Sequence, residues 1–160
     1  MEKNDTIVNQ ELQLVIFKLA QEEYGLPITK VKEINRLVPI TKLPQTPPFM
    51  EGIMNLRSRI IPVLDLRKRF GIAVSEYTEE SRIIIVEVSG ETVGVIVDAV
   101  AEVVRIAAAC VEPPPSSFAL DAKYIQGIGK LEDRLLILLE IDQILCSQET
   151  INLKQLTLQG

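Results

Sequence analysis

Aliphatic and polar positions along this chain fall into short runs, and the same order of runs occurs twice. Leu14 to Leu19 reads LVIFKL and Ile83 to Val88 reads IIIVEV; each meets a polar turn and then a second apolar run, YGLPI or VGVIV. Short β-branched runs parted by turn residues predict hairpins. Each hairpin is followed by a segment of Val, Glu and Arg, VKEINR or VAEVVR, short enough for one helical turn or a strand. Proline marks the connectors, VPITKLPQTPP and VEPPPSS, as loops or edge segments, because it lacks the ladder donor and fixes φ. Each half closes on GIMNLRSRIIPVLDL (Gly52 to Leu66) or GIGKLEDRLLILLEI (Gly127 to Ile141). Both predict a strand, a two-residue turn (Arg57-Ser58 or Glu132-Asp133), and a strand whose run, IIPVL or LLILL, is apolar enough to be buried on both faces.

The two halves align as a duplication. With Gly25 over Gly94, an offset of 69, Ile16, Glu22, Gly25, Val31, Glu33 and Arg36 each meet an identical residue. FMEGI (Phe49 to Ile53) lies over YIQGI (Tyr124 to Ile128) at an offset of 75, so the second connector is longer. Two copies with this period predict a pair of like subdomains, since solenoid repeats are shorter and more numerous. About five short strands per half suit a small barrel, which closes its own edges. The remaining pattern predicts a short helix in DLRKRFG ended by Gly71 and another in EIDQILCSQE, followed by a polar tail. The expected organisation is a flexible tail over 1–11, one domain over 12–149 and a second tail over 150–160. Within the domain the first barrel spans mainly 12–66, a bridge 67–82, the second barrel mainly 83–141, and the C-terminal helix 140–149.

Charge and composition narrow the function. The 17 Lys and Arg against 22 Asp and Glu leave a net charge of −5, so no general field draws polyanions to the surface. The absence of His removes the commonest general base, triad partner and metal ligand together. Neither a GxxxxGK[ST] nor a GxGxxG loop occurs. The acid pairs Glu22-Glu23, Glu79-Glu80 and Glu132-Asp133 fall in predicted turns or linkers, where acid–base work lacks the desolvated site it needs. Cys110 and Cys146 are too few for a disulfide framework or a metal cluster and read as small buried hydrophobes. Met1 to Gln10 has no apolar stretch suited to a secretory signal, and no apolar run approaches the ~20 residues of a spanning helix. A cytosolic chain without a catalytic, cofactor or metal site is the reading these features support.

Arg57, Arg59, Arg67, Lys68 and Arg69 form a basic group with one acid, Asp65, among them. A single-strand nucleic-acid site would interleave aromatics, and only Phe70 is near; solvated surface or a protein-binding patch remains. Arg57 itself meets Glu132 in the repeat alignment. That reversal is either a freely varying turn charge or the mark of two faces that serve different partners, and pattern alone leaves both open.

Four stretches, EEYGLPITKVKEI, TPPFMEGIMNLRSRIIPVLDLRKRFG, GVIVDAVAEV and YIQGIGKLEDRLLILLEIDQIL, resemble in order and spacing the bacterial chemotaxis coupling proteins of the CheW family over about 12–149. The resemblance implies a mainly β fold of two intertwined SH3-like five-stranded β-barrel subdomains around a shared aliphatic core, with short helices including the C-terminal one. It also implies a non-catalytic cytoplasmic adaptor without cofactor, recruited to the inner face of the membrane in receptor arrays. Its partners would be the cytoplasmic tip of methyl-accepting chemotaxis receptors and the regulatory domain of the histidine kinase CheA. Arg57 of NLRS matches the receptor-binding Arg of the family's NLRG motif, and Glu33, Ile34 and Ile60 match other receptor-groove positions. Ser58 departs from the family's Gly at a turn where Ser accepts positive φ less readily. Kinase contacts are expected at Ile40, Leu43 and Pro47 of the first barrel and at Val111 and Phe118 of the second, as apolar residues of Pro-rich edge loops. An adaptor of another chemosensory system, such as twitching motility, is the alternative in the same class. A small-ligand-binding β-protein with its site between the halves and a nucleic-acid-binding barrel are the alternatives outside it.

Overall fold

A computed structural model describes residues 10–72, 76–115 and 124–145. The first repeat folds as the hairpin β1 (Glu11–Leu19) and β2 (Glu22–Pro27), a 3-10 turn (Ile28–Lys30), strand β3 (Val31–Arg36) and the hairpin β4 (Met50–Leu56) and β5 (Arg59–Asp65). Helix α1 (Leu66–Arg69) leads into the bridge. The second repeat supplies β6 (Arg82–Val88), β7 (Glu91–Val97), β8 (Ala99–Ala107), a 3-10 turn (Ala108–Cys110), β9 (Val111–Glu112), β10 (Ile125–Leu131), β11 (Arg134–Leu139) and helix α2 (Ile141–Leu145). VKEINR and VAEVVR are thus strands in both copies. Each is held along its length by antiparallel pairing, β3 with β6 and β8 with β1.

Strand exchange between the repeats builds the sheets. One runs β8-β1-β2-β11-β10-β9 and the other β3-β6-β7-β5-β4. The N-terminal hairpin of each repeat therefore completes the sheet of the other, giving two SH3-like subdomains. On one side each exchanged hairpin joins antiparallel, β1 to β8 and β6 to β3; on the other the join is parallel and falls at matching positions of the repeat, Leu138 beside Gly25 and Val63 beside Gly94. The boundaries 12–66 and 83–141 accordingly mark the sequence repeats and not the sheets, since β1 and β2 pair with second-repeat strands and β6 and β7 with first-repeat strands. One sheet has five strands and the other gains a sixth, the two-residue β9. Strand β1 starts at Glu11, which pairs with Ala107; residues 1–9 of the expected tail lie outside the described residues. Helix α2 covers Ile141–Leu145; residues 146–149 of the helix expected over 140–149 lie outside the described residues.

Exchange puts β6 and β7 between two cores. Ile83, Ile85 and Ile96 pack inside their own subdomain with Met54, Ile61 and Val63. The alternate residues Ile84, Val86, Val93, Val95 and Val97 face a shared core with Phe17, Leu19, Tyr24, Leu26, Leu64 and Leu139. Leu14, Ile16, Val104, Ile106, Leu136 and Leu138 fill the other subdomain. Burial on both faces is why IIIVEV is written as a near-continuous aliphatic run, and each such side chain contributes roughly 1.5–3 kcal/mol. The closing strands follow this pattern only inward: Ile60 and Leu135, at their outer ends, are exposed. Cys110 is exposed as well, contrary to its expected burial, because it ends a 3-10 turn at the sheet margin; Cys146 lies outside the described residues.

Two glycines of the repeated motif have a steric reason. Gly52 sits at φ 147°, and a Cβ there would lie 2.1 Å from the Thr41 carbonyl oxygen, because Thr41 and Ile53 exchange backbone bonds of 2.9 and 2.8 Å. Its equivalent Gly127 would meet Val111 Cγ1 at 2.6 Å, where β9 lies against β10. In both subdomains the connector crosses too close to β4 or β10 for any side chain.

One member of the basic group, Arg67, belongs to the interior and not to the surface. Arg67 is buried beside fully buried Asp65. It donates to Asp65 from its backbone N–H (2.9 Å) and Nη2 (3.1 Å) and to Asp98 from Nη1 (3.0 Å). Asp65 Oδ2 also accepts from the Tyr77 hydroxyl at 2.9 Å, and Asp98 Oδ2 from Ala20 N at 2.6 Å. One charged network thereby ties α1, the bridge, the β7–β8 junction and the β1–β2 turn. Burial, and then the Asp65 carboxylate, push the Tyr77 hydroxyl well above its ordinary pKa. Arg69 lies over Phe49 (5.1 Å) and Tyr124 (5.0 Å), which are equivalent positions of the two repeats.

Two substitutions test these packing arguments by urea unfolding. Gly52→Ala is expected to cost about 3 kcal/mol, from strain and backbone collision together. Arg67→Ala, which leaves Asp65 buried and uncompensated, is expected to cost about 3–5 kcal/mol.

Candidate docking site

The β4–β5 turn places Arg57 and Ser58 at φ 49° and 68°, the doubly positive pattern of a tight turn whose twist suits a hairpin. Ser58 adopts it without glycine because its amide donates to Asn55 Oδ1 at 2.9 Å, a local bond that holds the turn. Arg57 is thereby aimed at Glu33 on β3. Nη1 donates to Oε2 at 2.6 Å and Nη2 to Oε1 at 3.2 Å, and Asn35 Nδ2 donates to the same Oε1 at 2.9 Å.

This pair spans the sheet's two ends. β3 and β4 are the terminal strands of the five-stranded order, so the bond between Glu33 and the β4–β5 turn joins the rims of the curled sheet. With 73% of its side chain exposed, Arg57 gains little stability from the bond; what it gains is a fixed direction. The Arg57 guanidinium, and then the Asn35 amide, hold the Glu33 carboxyl below the usual carboxylate range, while Glu33 raises Arg57.

Apolar residues flank the charged rim. Ile34 is 38% exposed and Ile60 59%. Ile34 pairs with the shared-core residue Ile84, so it extends that core's face outward, whereas Glu33 pairs with Ile85 and points to the barrel side. The structure brings Glu33 and Arg57 into contact and places Ile34 and Ile60 on strands that are not neighbours in the sheet.

The residues expected at the kinase contacts are half-buried and partly committed to their own subdomains. Ile40 packs against the interior of the five-stranded subdomain and Leu43 against the shared core. The Leu43 carbonyl accepts from the Thr46 hydroxyl and the Pro47 carbonyl from Met50 N. Val111 on β9 packs against the core of the other subdomain. Phe118 lies outside the described residues. Pattern reading passed over Val103 and Leu135, exposed by 52% and 62%, although the repeat alignment sets them opposite Ile34 and Ile60.

Two interlocked SH3-like subdomains with exposed aliphatic residues beside an ordered charged rim define a protein-docking module. The CheW-like domain model matches residues 13–149. The Chemotaxis protein CheW of Klebsiella aerogenes is 37% identical over 138 residues, 86% of this chain and 83% of that protein. The Chemotaxis protein CheW of Treponema pallidum is 35% identical over 92% of this chain and 90% of its own. Among solved structures, the scaffolding protein TtCheW from Thermoanaerobacter tengcongensis superposes with a TM-score of 0.82 at 45% identity, covering 88% of this chain and 96% of that one. The chain belongs to the CheW family.

The rim makes a pH prediction. A carboxyl whose folded pKa is depressed contributes stability above its unfolded pKa and loses it as pH falls through the folded value. Glu33 should therefore titrate by NMR below the usual carboxylate range. In Arg57→Ala it should move upward but only part of the way, since Asn35 remains.

Proposed function

We propose that this chain, a chemotaxis scaffold by its family, couples the cytoplasmic tip of methyl-accepting chemotaxis receptors to the regulatory domain of the histidine kinase CheA. Arg57 carries the reading. It projects from a tight turn, is oriented by Glu33, and has only two of its roughly five N–H donors engaged there. A helical hairpin lays apolar side chains against Ile34 and Ile60, and the remaining guanidinium donors set its register through charge-assisted bonds. The arrangement is one of binding and not of chemistry: the adaptor is non-catalytic and takes no cofactor.

Kinase contacts fall at the two connector regions, Ile40, Leu43 and Pro47 on one side and Val111 and Phe118 on the other. The half-burial of Ile40, Leu43 and Val111 suits this role, because a side chain anchored in its own core presents its outer face without losing much rotamer freedom. The adaptor works in the cytoplasm, drawn to the inner face of the membrane by the receptors; no helix among the described residues is long and apolar enough to cross a membrane.

Calorimetric titration with a receptor signalling-tip fragment tests the reading. Wild type is expected to bind and Arg57→Glu, which copies the residue of the second repeat, to bind at least tenfold more weakly. Equal binding by both would remove Arg57 from the site.

A further inference from the structure

We propose that Asn35 is a positioning residue for Arg57: it clamps Glu33 from the strand side, so that the docking arginine is presented with its fork already aligned. The proposal rests on the receptor reading and names the residue that sets its geometry.

Asn35 is polar at a position where the other repeat has an apolar side chain. Strand alternation sends Glu33 and Asn35 to the barrel side of β3, where they pair with Ile85 and Ile83 of the interior core. The repeat sets Val104 opposite Asn35, and Val104 belongs to the core of its own subdomain. An amide put where a valine serves costs free energy unless it is hydrogen-bonded. The bond it makes is to Glu33, from Nδ2 to Oε1 at 2.9 Å. The second repeat has the valine and lacks the latch: Glu102, the equivalent of Glu33, pairs with Arg134, and the tip carries Glu132. Amide, acid and tip arginine occur together in the first repeat alone.

The geometry shows what the amide adds. A carboxylate turns easily about its last torsion, which has a broad well, and Arg57, with 73% of its side chain exposed, is a weak holder by itself. Asn35 is short and half-buried, so its amide fixes the carboxylate plane from the strand. The fork meets that plane unevenly. Nη1 to Oε2 is 2.6 Å, whereas Nη2 to Oε1, the oxygen shared with Asn35, is 3.2 Å. Nη1 is therefore the anchored prong and Nη2 the donor held loosely enough to turn to a partner's acceptor. This orientation is in place before the partner arrives, which lowers the ordering cost of docking. After Arg57, the Asn35 amide is the next cause holding the Glu33 carboxyl below the usual carboxylate range.

Calorimetric titration with the receptor signalling-tip fragment, on Asn35→Val, Arg57→Ala and the double variant, tests the proposal together with carboxyl NMR of Glu33 in the free chain. Valine copies the second repeat and fills the site, so the fold should survive; Asn35→Ala repeats the comparison with a smaller side chain. Asn35→Val is expected to bind the fragment about fivefold more weakly than wild type. In the Arg57→Ala background it is expected to add less than about twofold, because it acts through the arginine. In the free chain Glu33 should titrate at higher pH in Asn35→Val than in wild type, as a carboxylate does when it loses a donor. Wild-type affinity in Asn35→Val, an equal loss with and without Arg57, or an unmoved Glu33 titration would each overturn the proposal while leaving Arg57 in the site. Equal binding by wild type and Arg57→Ala would instead remove the receptor reading and the proposal with it.

Discussion

The exchange of N-terminal hairpins between the repeats is the constraint on which the rest of the structure depends. It places β6 and β7 between an interior core and the shared core and does the same for β1 and β2 in the other subdomain. Neither repeat can bury its apolar faces alone, because each sheet needs strands from both. Separating the subdomains would expose the Phe17, Leu26, Ile84 and Val95 cluster at once, a cost of the order of the whole folding free energy. The exposed residues of both subdomains therefore sit on one frame, with the Asp65–Arg67–Asp98 network tying the bridge, through Tyr77, to the turn of the borrowed hairpin.

On that frame, duplication sets positions and divergence sets chemistry. Both repeats keep the close crossing at Gly52 or Gly127, the hairpin beyond it, and an exposed aliphatic residue on either side. They part at the tip, where the first repeat has an arginine latched to Glu33, while in the second the corresponding Glu102 is taken by Arg134 and the tip is acidic. An exposed charge reversed at a fixed position costs little stability, so such turns are free to specialise for partners while the cores stay alike.

The hairpins, connectors and duplication were legible in the sequence because apolar period, turn residues and proline act locally. The resemblance of NLRS and its neighbours to the CheW family brought the fold class, the intertwining and the candidate residues Glu33, Ile34, Arg57 and Ile60. Which strands pair across the repeats has no local signature, so the boundaries 12–66 and 83–141 followed the repeats instead of the sheets. Local pattern marks Arg67 only as one of a basic group, solvated surface or protein-binding patch; its burial depends on Asp65 and Asp98 meeting around it in space, 33 positions apart in the chain. The run IIPVL looked uniformly buried because composition cannot show that the strand outlasts the core, which leaves Ile60 in solvent. Cys110 erred in the same direction, toward burial.

The central claim is that the two subdomains present equivalent surfaces to different partners and that only the first-repeat rim reads the receptor. Methyl NMR of the chain titrated with a receptor signalling-tip fragment tests it most directly. The account predicts that the methyl signals of Ile34 and Ile60 shift while those of Val103 and Leu135 stay in place. Shifts at Val103 and Leu135 with Ile34 and Ile60 unmoved would contradict it.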